Sequence, residues 1–290
     1  MPQPNQITPP QLMRLIGLPD APTLLDVRLT QDIDLDPRLI PTSRARPHDQ
    51  FDPAPASLAG PIVVICARGR KLSEGVAAIL RAQGRAAEVL EGGAIAWAEA
   101  GLPMVPRAAL PQTNLWVTRH RPKIDRIACP WLIRRFIDPA ARFLFVAPAE
   151  VPAVAERFNA TPFDIEDTLY SHRGDTCTFD TMLAEWGLHT EALHRMALVI
   201  RAADTDRHDL SPQAAGLLAI SVGLSRQFRD DLAQLDMGLN LYDALYRWAR
   251  DGHDETHDWA PRDLPSRNLP ARDLPSRDWP ARDLPAGRVP

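Results

Sequence analysis

Cys66 is the side chain best placed to react. It follows an apolar run at 62–65 and opens the loop Cys66-Ala67-Arg68-Gly69-Arg70-Lys71, after which residues 71–83 carry a helical pattern with Leu72, Val76, Ile79 and Leu80 on one face. A buried parallel strand that runs through a short glycine-containing loop into a helix sets its last residue in the crevice where such sheets bind ligands. Loop N–H groups and the helix N-terminus then point at the sulfur. With Arg68, Arg70 and Lys71 beside it, that field favours thiolate over thiol and can also hold an anion at Ala67 and Gly69. The chemistry implied is attack by a thiolate on a sulfur or oxyanion substrate, giving a covalent cysteine adduct. The plain alternative is an inert strand-end cysteine with solvated cations around it.

Two further segments carry polar residues dense enough for chemistry. In 116–139, Arg119, Arg121, Lys123, Arg126 and His120 crowd together as a candidate anion site. The same pattern fits an amphipathic helix capped by Asp125, with Ile127, Trp131, Ile133 and Phe136 as its apolar faces. Cys129 lies inside it. The second segment offers Phe163-Asp164-Ile165-Glu166-Asp167, then His172-Arg173-Gly174-Asp175-Thr176-Cys177, and later Asp204. Carboxylates, an imidazole and a thiol suit a divalent transition metal, with Glu166, His172 and Asp175 as the candidate ligands, although the spacing matches no common zinc motif. Asp175 or Thr176 would equally cap the helix predicted from 178, and Asp209 or Ser211 the one after it.

The elements that must position these residues fall into two halves. The 290 residues, at about 150 per domain, suggest two domains. Residues 1–105 alternate strand and helix: a helix opened by Thr8-Pro9-Pro10, strands at 24–27, 62–66 and 87–90, and a closing helix at 94–100. That alternation predicts an α/β domain with a parallel sheet; no element is assigned between 31 and 60. Prolines at 103, 106 and 111 mark 106–113 as a linker. Residues 114–252 read as a mainly helical α+β domain with strands at 115–118 and 143–146, and helices at 126–137, 148–158, 178–186, 190–203, 211–225 and 230–249. From 253 the chain becomes a tail, and from Pro265 it repeats in five-residue units such as PARDL, which bury too little to fold and predict disorder.

Composition excludes several classes. No apolar run approaches the roughly 18 residues of a membrane span, and the first residues lack the pattern of a signal peptide, so a cytoplasmic protein is expected. Three cysteines make no disulfide framework. The net charge is -4, residues 1–111 are balanced and 112–258 have an acidic excess, which does not fit a nucleic-acid binder.

Leu25-Asp26-Val27-Arg28, the Cys66 loop and Leu90-Glu91-Gly92-Gly93-Ala94 resemble the rhodanese-homology family in order and spacing across roughly residues 5–105. The resemblance implies a rhodanese-like domain in which Cys66 carries a persulfide during sulfur transfer. Asp26 and Arg28 would brace the site without reacting. One departure is Lys71-Leu72 where the family often has Arg-Ser, with Ser73 one place later. The second half, from about 115 to 252, resembles the C-terminal domain of the ChrB-type chromate-resistance family, most closely in 123–133 and 172–179. That implies a role in chromate resistance or its regulation. The combined expectation is a sulfurtransferase using a small donor such as thiosulfate and a thiol acceptor, with chromate as a further ligand. It needs no cofactor for sulfur transfer, and a divalent metal is a possibility in the second half. A chromate-responsive sensor with a silent first domain, and a metal-dependent enzyme centred on the second, are the alternatives.

Overall fold

Alternation along the central strands decides how the first half is built. The computed structural model describes residues 5–51, 58 and 60–255, nearly all of which belong to one compact unit, Met1–His253. The pentapeptide repeats lie outside the described residues.

In the first half the elements are β1 (Gln6–Ile7), α1 (Pro9–Met13), β2 (Thr23–Asp26), α2 (Thr30–Leu35), β3 (Arg38–Leu39), β4 (Arg44–Ala45), β5 (Ile62–Ile65), α3 (Lys71–Ala82), β6 (Ala87–Leu90), α4 (Gly93–Glu99) and β7 (Val105–Pro106). Thr8 caps α1 in a capping box with Gln11 and two prolines at the first positions. Five strands form a wholly parallel sheet in the order β1-β6-β5-β2-β4. This is the parallel α/β architecture that the strand-helix alternation predicts.

Successive residues of a strand face opposite sides of the sheet, and here the two sides feed different cores. Leu25, Ile62, Val64 and Cys66 pack with Val76, Ala77 and Leu80 of α3. Leu24, Val63, Ile65 and Leu90 join a larger core that continues into the second half. Ile79, expected on the buried face of α3, is 37% exposed, because the buried stripe runs through Ser73, Val76, Ala77 and Leu80.

The second half contains β8 (Leu115–Arg119), α5 (Asp125–Leu132), β9 (Arg142–Val146), α6 (Val151–Phe158), β10 (Thr161–Pro162), α7 (Thr178–Trp186), α8 (Glu191–Asp204), α9 (Gln213–Gln227) and α10 (Asp231–Arg247). Three parallel strands in the order β10-β8-β9 are packed among helices, the mainly helical α+β arrangement. The helix predicted over 126–137 ends as a π turn at Ile133–Ile137, which begins three residues after the break that Pro130 imposes on hydrogen bonding.

Residues 31–60, left without elements by the sequence, hold α2, β3 and β4. The stretch expected to be a linker begins inside structure: β7 pairs antiparallel with β3, and Met104 and Val105 are buried. The halves share one core. Rings of Phe136 and Tyr246 close over Gly17, where a Cβ would sit 2.7 Å from each, and the Thr42 N–H donates to the Phe136 carbonyl at 3.0 Å. Phe136→Ala is therefore expected to cost about 3–5 kcal/mol and to lower the melting of both halves together in a single calorimetric transition. Two separated transitions, with only one displaced, would contradict a shared core.

Candidate functional site

Cys66 follows β5 directly, at the carboxyl edge of the sheet and beside the start of α3. The loop is closed from the other side by the turn that starts α4. Ala94 and Ile95 donate their N–H groups to the carbonyls of Cys66 and Ala67, at 3.0 and 3.1 Å. Gly93 makes this approach possible: its φ is +64°, and a Cβ there would lie 2.2 Å from the Cys66 carbonyl oxygen and 2.5 Å from the Gly69 nitrogen.

The sulfur is 4% exposed by residue and sits among donors. Arg70 N–H donates to Sγ at 3.4 Å, and Ser73 Oγ lies 3.1 Å away. Burial pushes the thiol up, but hydrogen bonds from the Ser73 side chain and from the Ser73, Arg70 and Arg68 backbone outweigh it, so its pKa falls below the usual 9.0. Arg68, Arg70 and Lys71 are exposed around the loop. Ser73, which the sequence offered only as a displaced family residue, is the side chain that touches the sulfur. Ser73→Ala is expected to shift the pH profile of Cys66 alkylation upward; an unchanged profile would remove Ser73 from thiolate stabilisation.

Asp26 and Arg28 are both buried and form a bidentate pair, with Nη2 to Oδ2 at 2.7 Å and Nε to Oδ1 at 3.0 Å. Arg28 also donates to the carbonyls of Asp36 and Arg38, at 3.1 and 2.8 Å. The pair thereby ties the end of β2 to the α2–β3 connection.

A second cluster lies at the carboxyl edge of the smaller sheet. His172 Nε2 faces Asp204 Oδ2 at 3.2 Å, Asp164 Oδ1 at 3.4 Å and Asp125 Oδ2 at 3.5 Å. Asp164 Oδ2 is held by Arg119 Nη2 at 2.8 Å and Arg126 Nε at 3.2 Å, and its Oδ1 accepts from Thr178 Oγ1 at 3.2 Å. Asp125 does not cap its own helix. Its Oδ2 accepts the Thr178 N–H at 2.6 Å, so α5 supplies the cap for α7. Neither Asp175 nor Thr176 caps α7; Asp180 reaches back to the Cys177 N–H instead. Asp209 and Ser211 likewise make no side-chain cap to α9.

The charges in this cluster shift one another. Burial raises the Asp125 carboxyl well above the ordinary range, with Asp204 and Asp164 adding to it against the His172 hydrogen bond. At Asp164 burial acts upward, but His172 and the two arginines prevail and hold it below the usual value. Hydrogen bonds to Asp125, Asp164 and Asp204 push the His172 imidazole upward.

Two expectations about the ligand set need correction. Among the described residues the group able to present ligand atoms within 4.8 Å of one another is Asp125, Asp164 and His172. Glu166 and Asp175 are outside it: Glu166 lines the adjoining cleft and Asp175 is exposed on the turn before α7. Asp164, present in the sequence segment but not singled out, is the missing member. It stands two residues past the end of β10, at the edge where parallel sheets gather ligands.

The basic run does not assemble a free anion site either. Arg119 and Arg126 bind Asp164, and Arg121 is engaged by Asp231, Phe228 and Ser225 through α9 and α10. Cys129 and Cys177 are fully buried, and burial pushes both thiols well above the ordinary value. At neutral pH, alkylation is expected to label Cys66 and leave these two untouched; labelling of Cys129 or Cys177 in folded protein would contradict their burial.

Residues 116–249 match the family model described as ChrB, C-terminal domain. The match spans nearly all of the second half. The chain is 35% identical over 136 residues to Protein ChrB of Cupriavidus metallidurans, a match that takes in 47% of this chain and 40% of that protein, so the chain spans less than half the length of this relative. Among solved structures, a rhodanese-related protein from Thermoplasma volcanium is similar at 27% identity with a TM-score of 0.31, covering 35% of this chain and 97% of that one. A thiosulfate sulfurtransferase from Pseudomonas aeruginosa is similar at 27% identity and a TM-score of 0.31, covering 36% of this chain and 19% of that one. The matched residues hold the whole of the Asp125, Asp164, His172 and Asp204 cluster, while Cys66 lies outside them. Among the described residues no helix is long and apolar enough to cross a membrane.

Proposed function

We propose that the first half is a rhodanese-type sulfurtransferase whose nucleophile is Cys66, acting in a protein associated with chromate resistance through its ChrB half. The observation that carries this is the Cys66 thiol, held below its usual pKa by Ser73 and loop amides and ringed by three exposed cations.

The Cys66 thiolate attacks the outer sulfur of thiosulfate. A new Cys–S–S bond forms as the donor's S–S bond breaks, and sulfite leaves with the bonding pair. A thiolate acceptor then attacks the outer sulfur of the persulfide, taking it away and restoring the Cys66 thiolate. No net oxidant or reductant enters, so this half requires no cofactor. Arg68, Arg70 and Lys71 neutralise the dianionic donor on approach, and the Arg70 N–H stabilises sulfur anions before and after transfer. Asp26 and Arg28 keep the neighbouring connection in place and touch no reacting atom. Chromate and thiosulfate are both tetrahedral oxyanions, so the same loop would admit chromate as a competitor.

The charge on the loop supplies the test. Arg68→Ala combined with Arg70→Ala should raise KM for thiosulfate about 10-fold, with kcat much less affected and with the difference shrinking as salt is added. Steady-state sulfur transfer from thiosulfate to a small thiol measures it. Equal KM values at low salt would contradict donor capture by this loop, and no turnover above that of Cys66→Ser would remove the sulfurtransferase itself.

A further inference from the structure

Three carboxylate oxygens converge on one imidazole nitrogen in the ChrB half, and hydrogen bonding alone does not account for it. His172 Nε2 carries at most one proton, yet it faces oxygens of Asp204, Asp164 and Asp125 at 3.2, 3.4 and 3.5 Å. Every one of these is longer than the roughly 2.7–2.9 Å of a charge-assisted N–H to carboxylate bond. A second, separate observation is at Asp125. The residue is 1% exposed and its Oδ1 has no hydrogen-bond partner, a costly state for a buried carboxylate oxygen.

We propose that Asp125, Asp164 and His172 bind one divalent first-row transition ion, with Asp204 holding His172 from the side. Ligand atoms held about 2.0–2.2 Å from a tetrahedral ion lie about 3.3–3.6 Å apart, and His172 Nε2 lies 3.4 Å from Asp164 Oδ1 and 3.5 Å from Asp125 Oδ2. The ligands come from three places in the chain, the first turn of α5, the segment after β10 and the turn before α7, while Asp204 at the last residue of α8 positions His172. Outer contacts aim them. Arg119 and Arg126 take Asp164 by Oδ2 and leave Oδ1 toward His172, while the Thr178 N–H fixes the Asp125 carboxylate. One imidazole with carboxylates suits manganese, iron or zinc; the buried thiols of Cys129 and Cys177, pushed far from thiolate, do not make a soft site.

The site opens outward. His172 is 42% exposed, and a cleft of roughly 850 Å³ lined by Arg119, Asp164, Glu166, Ser171 and His172 lies over it. An ion there would put a positive centre beside the Arg119 guanidinium, where a small anion could enter.

Full-length protein stripped by chelator and dialysed against Mn(II) alone or Zn(II) alone tests this. We expect about one equivalent of at least one ion on the parent and on Cys66→Ser, with affinity at least ~10-fold weaker in His172→Ala and in Asp204→Asn. Both variants should keep cooperative thermal melting. Less than about a tenth of an equivalent of either ion on the parent would overturn the site. So would undiminished binding in the two cluster variants, or loss of binding in Cys66→Ser. Because Cys66 lies outside the cluster, failure here leaves the sulfur-transfer proposal standing, and the reverse holds too.

Discussion

Cys66→Ser should lower sulfur transfer from thiosulfate by at least about 10³-fold while leaving the fold intact. Serine is close in size, so the packing of the loop against Val64 and α3 survives. What is lost is the nucleophile. A hydroxyl in the same field of amides stays protonated at neutral pH and forms no S–S bond, and the remaining amides and cations can bind donor without turning it over. Circular dichroism and steady-state assays measure the two halves of this expectation. A variant that is folded and retains more than about a tenth of parental turnover would place the nucleophile elsewhere. Cys129 and Cys177 would be poor substitutes, since both are fully buried and held as thiols.

Gly93→Ala should destabilise the protein by about 3 kcal/mol or more and remove sulfur transfer in whatever protein still folds. Its Cβ would meet three backbone atoms: the Cys66 carbonyl oxygen at 2.2 Å, the Gly69 nitrogen at 2.5 Å and the Ala67 carbonyl carbon at 2.8 Å. Backbone cannot rotate away as a side chain can. The positive φ of 64° adds a second cost for any residue with a Cβ. Relief requires moving the Cys66 loop away from α4, which breaks the hydrogen bonds from Ala94 and Ile95 and displaces the Arg70 N–H from the sulfur. Chemical denaturation and the alkylation rate of Cys66 report the two consequences. Gly75→Ala, in the same half with open space around it, is the control and should change neither by much.

The thiol loop was legible in the sequence because everything it needs is local. Strand 62–65, the cysteine, a glycine and a helix start follow one another within about ten residues, and the elements found have nearly those bounds. The long helices α7, α8, α9 and α10 were legible for the same reason. The acid-histidine cluster was not, because its members are brought together by tertiary packing across 125, 164, 172 and 204. Short-range logic pointed to helix caps at Asp125, Asp175 and Thr176, and to Glu166 and Asp175 as partners of His172. Tertiary structure reassigns Asp125 as a cap for a helix 53 residues away and recruits Asp164 in place of Glu166. The stretch at 106–113 adjoins structure at its first residue. Val105–Pro106 pairs with β3, and Met104 and Val105, just before the stretch, are buried in the core that both halves share.

The most direct measurement is intact-mass analysis of the purified protein and of Cys66→Ser after brief exposure to thiosulfate. One added sulfur atom on the parent, absent from Cys66→Ser and removed by a small thiol, is the predicted result. No added sulfur on the parent, with other sulfane donors also supplied, or equal addition to both proteins, would contradict a persulfide on Cys66.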